Sequence, residues 1–430
     1  MKYFELKILF CAYDRAGQIA SGPNAWLQRL VPDLISNYGL EVQSLFIYSG
    51  EPEKCPTITF FKENRFPIQL ISRVSYNYVE DQVKELLNIV KREHISTVVA
   101  NLVVPALYAT QYLKPFDIPV IGIMHSNDTF YKGVITKFIH GNKKNQLSTA
   151  VSVSEYINTI CTSQNTKTQL LNISCGTPEV KNSTSPESQE ILKVIYAGRL
   201  VVQQKQILKL TKAFCDASKV NSNLEFSIYG NGDKEQSISA LINHERASKN
   251  VKLFKALPPK EIINKIQEHH VFTLMSDYEG MPIALMEAMA CGVVPVCYVG
   301  EGGIDEIIEH GVNGFIVENR GKDYQDKLQI LVNDRSLWEI MSKNARATIQ
   351  QKYSSKITNQ KWFELLNQFK GIKQKPLHIP LRIKLKGPLL YYGDNRKPNL
   401  KDRIATCLKS NWMAFRIFVR PRARLRELLK

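Results

Sequence analysis

The chain has no Cys-x-x-Cys pair, and none of its eight cysteines (11, 55, 161, 175, 215, 291, 297 and 407) stands with histidines at zinc-finger spacing. A structural zinc module and a disulfide framework are both excluded on that pattern, and the cysteines read as reduced thiols of a reducing compartment. No run of about 18 uninterrupted apolar residues is present, so no transmembrane helix is expected. The best stretch, 95–109, is broken by Ser96, Thr97, Asn101 and Pro105. The opening Met-Lys-Tyr-Phe-Glu-Leu-Lys-Ile-Leu-Phe carries charges within its apolar stretch and no small-residue cleavage site. It reads as a first strand and not as a signal peptide. The Gly-x-Gly turn at Gly230 and Gly232 lacks the third glycine of a dinucleotide fingerprint, because Glu235 stands there. No cluster of residues has metal-ligand spacing, and the adjacent His269 and His270 would lie on different faces of a helix. Acidic residues are scarce at one end: residues 371–430 hold 3 Asp+Glu against 16 Lys+Arg, and the other residues hold 37 against 41. The net charge of +17 therefore belongs mostly to a tail.

What is present is an ordinary globular composition, 44% hydrophobic and 23% charged, over 430 residues. That length exceeds what one core supports and calls for two domains with an appendage. Up to residue 175, apolar runs at 6–12, 42–47, 97–101, 118–124 and 147–153 alternate with helical patterns at 24–38, 77–93, 104–113 and 154–162. A second alternating series follows, with strands near 192–197, 224–229, 251–254, 271–275, 293–297 and 315–317. Alternation of this kind predicts doubly wound α/β domains with parallel sheets. The expected division is a first Rossmann-like domain at 1–176, a polar linker at 177–190, a second domain at 191–352, a last helix within 353–370 and a basic tail at 371–430.

One stretch carries the most chemistry: Ser276-Asp277-Tyr278-Glu279-Gly280-Met281-Pro282-Ile283-Ala284-Leu285-Met286-Glu287. Pro282 suits the first turn of a helix, where the amide it lacks would have no partner. Glu287 then lies about 7.5 Å further along the axis and leans back toward the N-terminus, where Glu279 stands. The free amides of Gly280, Met281 and the first turn form an anion-binding end. Two carboxylates beside such an end suit a ligand with both hydroxyls and phosphates, and a nucleotide-sugar is one.

With Ala-Cys-Gly-Val-Val-Pro-Val behind it, this stretch resembles the Glu-x7-Glu signature of the retaining family-four glycosyltransferases, also described as glycosyl transferases group 1. That family has the GT-B architecture, two doubly wound domains facing a cleft with a last helix crossing back to the first domain. The resemblance implies that Glu279 meets the sugar hydroxyls and Glu287 the ribose of a nucleotide-diphosphate-sugar. Ile195-Tyr196-Ala197-Gly198-Arg199-Leu200, with Lys205 six residues past the arginine, resembles the element whose two cations hold the donor diphosphate. Gln206 stands where many members have glycine. The turn at Gly230 implies a place beside the donor base and phosphate, and Gly22, in Ser-Gly-Pro-Asn, a place on the phosphate side. His125, after the run Val120–Met124, implies a group near the reacting centre of the sugar, where a neutral imidazole can donate to a hydroxyl.

The implied activity is transfer of a sugar, with retained configuration, to an acceptor hydroxyl on a cell-surface glycan or lipid-linked saccharide. No cofactor and no metal are expected beyond the nucleotide-sugar itself. The alternative is a non-catalytic GT-B binding protein that acts through its basic tail on membrane or nucleic acid, although no nucleic-acid motif is present. In the tail, Ile404, Leu408, Trp412, Phe415 and Val419 recur at steps of three and four. With its flanking cations, that stripe predicts an amphipathic helix at an anionic membrane surface. The expected place is the cytoplasm, peripheral at the inner face of the membrane.

Overall fold

The structure is a computed structural model that describes residues 6–18, 20–76, 78–180 and 191–385. Two all-parallel sheets organise it. The first contains β1 (Lys7–Arg15), β2 (Glu41–Ser49), β3 (Ile68–Ser72), β4 (Thr97–Ala100), β5 (Val120–Met124), β6 (Thr149–Ser152) and β7 (Gln169–Asn172). Its order is β3-β2-β1-β4-β5-β6-β7. Helices α1 (Gly22–Ser36), α2 (Pro56–Glu63), α3 (Val79–Arg92), α4 (Val104–Leu113), α5 (Thr129–Val134) and α6 (Glu155–Thr162) accompany it.

The second sheet contains β8 (Leu192–Ala197), β9 (Leu224–Tyr229), β10 (Val251–Phe254), β11 (Val271–Leu274), β13 (Val294–Tyr298) and β15 (Phe315–Val317) in the order β10-β9-β8-β11-β13-β15. Two short strands, β12 (Tyr278–Glu279) and β14 (Glu301–Gly302), pair with each other. The helices of this half are α7 (Ile207–Val220), α8 (Glu235–His244), α9 (Pro259–Gln267), α10 (Ile283–Ala290), α11 (Ile304–Ile307), α12 (Lys322–Asn333), α13 (Arg335–Thr348) and α14 (Ser355–Asn367).

The central strands read as continuous apolar runs because helices cover both faces of a parallel sheet. Ile8, Leu9, Phe10, Cys11 and Ala12 of β1 are all fully buried, and so are Val194, Ile195 and Tyr196 of β8. In each sheet the first strand is central and the strand order reverses beside it. Ligands of open α/β sheets bind at the carboxyl ends of strands next to that reversal. The helical stretch from Lys322 to Asn367 is interrupted twice. Asp334 caps α13 by accepting from Leu337, and a π-helical turn, Ile349–Tyr353, redirects the chain. Thr177 donates to Tyr353 O at 3.0 Å and accepts from Ser355 N at 2.8 Å, so the two passages between the halves are hydrogen-bonded together. α14 then returns to the first half, where Trp362 packs on Trp26 and Phe10 and Asn359 donates to Asp33 of α1.

Residues 372–385 continue along the first half instead of leaving the body. Gln374 donates to Ser96 O, Lys375 pairs with Asp117, and the Tyr112 hydroxyl donates to Lys384 O and accepts from Lys384 N. Ile383 is buried. The stripe from Ile404 to Val419, most of the remaining tail and part of the polar linker lie outside the described residues. Among the described residues no helix is long and apolar enough to cross a membrane.

Candidate active site

Both glutamates, both cations, the histidine and the Gly-Met-Pro segment come together where the carboxyl ends of the two sheets face each other. β11 ends at Leu274 and the chain reaches Glu279 in β12, which β14 holds in register through Tyr278↔Glu301 and Glu279↔Gly302. Glu279 is 5% exposed. Its Oε1 receives Lys205 Nζ at 2.5 Å. Arg199 follows β8 and donates from Nη2 to Gln204 Oε1 at 2.7 Å, and Gln204 in turn donates to Tyr278 O at 3.1 Å. Arg199 is exposed, and its backbone carbonyl accepts from the Tyr196 hydroxyl at 2.8 Å. Lys205, Gln204 and Arg199 thus form one polar strip leading to Glu279.

Gln206 has φ +50, the left-handed region that favours glycine. The loop keeps the glycine-like backbone and ties the Gln206 side chain to Asp277. Asp277 also meets Arg320, whose guanidinium lies 3.6 Å from the centre of the Tyr298 ring. Asp277 therefore has its own partners, and among the described residues no group of three His, Cys, Asp or Glu stands where it could hold a metal ion.

Gly280 shows why a glycine precedes Met-Pro. A Cβ there would lie 1.8 Å from His125 O, so the two halves meet backbone to backbone at this point. Gly230 is equally constrained, with a Cβ position 2.1 Å from Gly198 O. That contact packs the Gly-x-Gly turn onto the loop bearing Arg199. Gly22 sits at the start of α1 against Ile283 of α10. Met281 is buried. Pro282 is the N-cap, with φ −75 and ψ 96, and not the first helical residue expected above; the extended ψ delays α10 to Ile283. Asn24 lies within the first turn of α1 and donates to Tyr13 O and Thr57 Oγ1.

His125 stands between Trp26 and Tyr131, with ring centres 5.8 Å and 6.5 Å away. Its Nε2 is 2.6 Å from Asn101 Oδ1. Asn101 donates from Nδ2 to Pro23 O, which turns Oδ1 toward the imidazole and makes Nε2 the protonated nitrogen. Burial pushes the imidazole pKa down to about 3, so the ring is neutral. The sequence suggested that this ring donates to a sugar hydroxyl. Its Nε2–H is already given to Asn101, which leaves Nδ1 to accept.

Glu287 is on α10 as expected, but its nearest charge was not foreseen. Arg29 of α1, in the other half, reaches it with Nη1–Oε1 2.6 Å. Two more carboxylates bridge the halves. Glu306 accepts from Glu155 N at 2.8 Å and Tyr156 N at 2.7 Å, capping α6, and Glu301 accepts from Asn127 Nδ2 at 2.9 Å. The signal for Arg29 was faint: it stands three residues past buried Trp26, on the flank of the apolar face of α1.

Two parallel-sheet domains closing on a polar strip of this kind make the GT-B class, and solved structures share the fold. HepE of Anabaena in complex with UDP and glucose superposes with a TM-score of 0.66 at 18% identity, covering 85% of this chain and 100% of that one. The pneumococcal O-GlcNAc transferase GtfA in complex with UDP and GlcNAc superposes with a TM-score of 0.66 at 13% identity, covering 85% and 99%. Residues 179–348 match the family model of the glycosyl transferases group 1. It is 28% identical over 191 residues to the poly(ribitol-phosphate) alpha-N-acetylglucosaminyltransferase of Staphylococcus aureus, covering 44% of this chain and 38% of the relative. It is 35% identical over 132 residues to the amylovoran biosynthesis glycosyltransferase AmsK of Erwinia amylovora, covering 29% and 32%. The matched stretches thus span only about a third of the length of these curated relatives.

Proposed function

We propose that the protein is a retaining glycosyltransferase that moves a sugar from a nucleotide-diphosphate-sugar to an acceptor hydroxyl of a cell-surface glycan or lipid-linked saccharide. The observation that carries this reading is the Lys205–Glu279 pair, continued by Gln204 and Arg199 and facing His125 across the Gly280 contact. When the bond from the anomeric carbon to the diphosphate breaks, the departing oxygens gain negative charge. Arg199 and Lys205 are placed to receive that charge, and fixed donors of this kind supply the largest catalytic contribution in many enzymes. Glu279 accepts from sugar hydroxyls, Glu287 from the ribose, and His125 Nδ1 from a hydroxyl near the reacting carbon. Gly22 and the Gly230 turn border the phosphate and base. No covalent step through a side chain of this protein is proposed. The resident charge comes from Arg199 and Lys205, and the reading needs no cofactor besides the donor. The relatives' names, which speak of poly(ribitol-phosphate) and amylovoran, support a polysaccharide acceptor.

Incubation with a panel of uridine, guanosine and adenosine diphosphate sugars tests the reading. Release of free nucleotide from one of them is expected, with the anomeric configuration of the product matching the donor by NMR. A panel that neither shifts the melting temperature nor yields nucleotide rejects it.

The basic tail, residues 371–430, is proposed to bring the protein to an anionic membrane surface at the cytoplasmic face. Because 372–385 lie along the first domain, the comparison should use a chain ending at Leu385. Cosedimentation with anionic vesicles by the full chain but not by the shortened one is expected. Equal behaviour of the two chains rejects the tail's role.

A further inference from the structure

Arg29 is the residue whose placement the proposed chemistry has not used. It comes from the first domain, yet its Nη1 lies 2.6 Å from Oε1 of Glu287 in the second, with the two side chains only 21% and 16% exposed. Its Nε and Nη2 are also shielded from solvent and have no hydrogen-bond partner. An arginine leaves buried donors idle at a substantial energetic cost, and it is retained where its remaining contact has a use. The helix that carries Arg29 is fixed independently of this contact. Trp26 packs on Trp362, and Asp33, one turn further along, accepts from Asn359 of α14. Arg29 therefore reaches Glu287 from a fixed frame, and only while α1 lies against α10.

The contact occupies one lone pair of one carboxylate oxygen. A carboxylate has about four acceptor positions, so Oε2 and the rest of Oε1 stay available to hydroxyls. The guanidinium fixes the direction of the Glu287 carboxylate, which is what it needs in order to accept from two neighbouring hydroxyls at once.

We infer that Arg29 is a positioning residue that holds Glu287 for the ribose diol of the donor, so that ribose recognition by the second domain depends on the first domain being closed onto it. This rests on the proposed reading in which Glu287 meets the ribose. It adds a specific consequence: the contribution of the ribose hydroxyls to affinity requires a residue of the opposite domain.

The test is a cycle in which the protein and the ligand are changed separately. UDP, GDP and ADP, each beside its 2′,3′-dideoxy analogue, are titrated calorimetrically into the wild type, Arg29→Met and Arg29→Lys. The wild type should lose about 10- to 100-fold in affinity when the hydroxyls are removed, as for a charge-assisted hydrogen bond. Arg29→Met should bind the ribose form about 10-fold or more weakly than the wild type does, yet bind the dideoxy form equally well. Arg29→Lys should recover part of the difference, because it restores the charge without the planar fork. Arg29→Met that weakens both forms alike, or neither, overturns the inference while leaving the donor reading intact. If Arg29→Met does not fold, Arg29→Lys decides: affinity for the ribose form equal to that of the wild type refutes the role. A wild type that binds none of the three diphosphates removes the donor reading, and this inference with it.

Discussion

The neutral state of His125 gives a stability prediction with a sign and a size. Its pKa is about 3 in the folded protein against 6.5 for a free imidazole, because burial disfavours the charged ring. As the pH falls below 6.5 the unfolded chain takes up a proton that the folded chain refuses, so folding loses stability. This contribution is fully present above 6.5 and declines down to about 3. One pH unit in that window corresponds to about 1.4 kcal/mol, so pH 5 corresponds to about 2 kcal/mol, reduced to about 1–2 kcal/mol because the side chain is partly exposed. His125→Gln removes the titration. Other groups that titrate in the same range, His269 among them with its pKa pushed down to about 4 by burial, remain in both proteins and cancel. Urea unfolding followed by tryptophan fluorescence suits the comparison, since Trp26 lies against the His125 ring. Between pH 7.5 and pH 5 the wild type should lose about 1–2 kcal/mol more than His125→Gln. Parallel pH profiles for the two proteins refute the assignment of His125 as a buried neutral ring. The same state predicts that the pH profile of transfer carries no step near 6.5 from this residue.

Other outcomes follow from the site. Glu287→Ala and Arg199→Ala should stay folded by circular dichroism and lose transfer on the order of 10²–10³, as expected when one preorganised electrostatic contact is removed; near-normal turnover places them outside the site. Dialysis against EDTA should leave activity intact, because Arg199 and Lys205 supply the positive charge a metal would bring; loss that magnesium or manganese restores rejects this. Gly280→Ala should force the His125 and Gly280 loops apart, since its Cβ position is 1.8 Å from His125 O. Destabilisation of about 1–3 kcal/mol and a larger radius of gyration by small-angle scattering are expected, and an unchanged scattering curve with wild-type stability argues against the close contact.

The central strands were legible because two-sided burial writes itself as uninterrupted apolar runs. The strands missed, β3 and β7, are the edges of the first sheet and have a neighbour on one side only. Gln169-Leu170-Leu171-Asn172 shows just two apolar residues, and none of the four is fully buried. Helix α2 was missed because its N-terminus is set by a distant residue: Asp14 accepts from Thr57 N and Ile58 N, a partnership 43 and 44 positions apart. The same distinction divides the site. Glu279, Glu287, Arg199 and Lys205 stand in local patterns of glycine, proline and apolar residues that can be read in sequence. Asn101, which sets the tautomer of His125, and Arg29, which meets Glu287, carry no local pattern. Their importance comes from which strand ends the topology places side by side.

The charges in the cleft are arranged as pairs whose members come from different elements: Lys205 with Glu279, Arg29 with Glu287, Arg320 with Asp277. Burying a carboxylate without a partner is costly. Lys205 supplies that partner to Glu279 and fixes the direction of its carboxylate. On the proposed reading, a diphosphate draws Lys205 toward itself while sugar hydroxyls move onto Glu279, so each charge exchanges one partner for another and neither is left bare. Asp277 differs in this respect, because its partners Arg320 and Gln206 both belong to the second domain. It therefore serves the loop, holding Gln206 in its left-handed turn and thereby setting the register of Lys205. Removing the Asp277 carboxylate should consequently weaken nucleoside diphosphate binding through Lys205, which calorimetric titration of the Asp277→Asn protein would read.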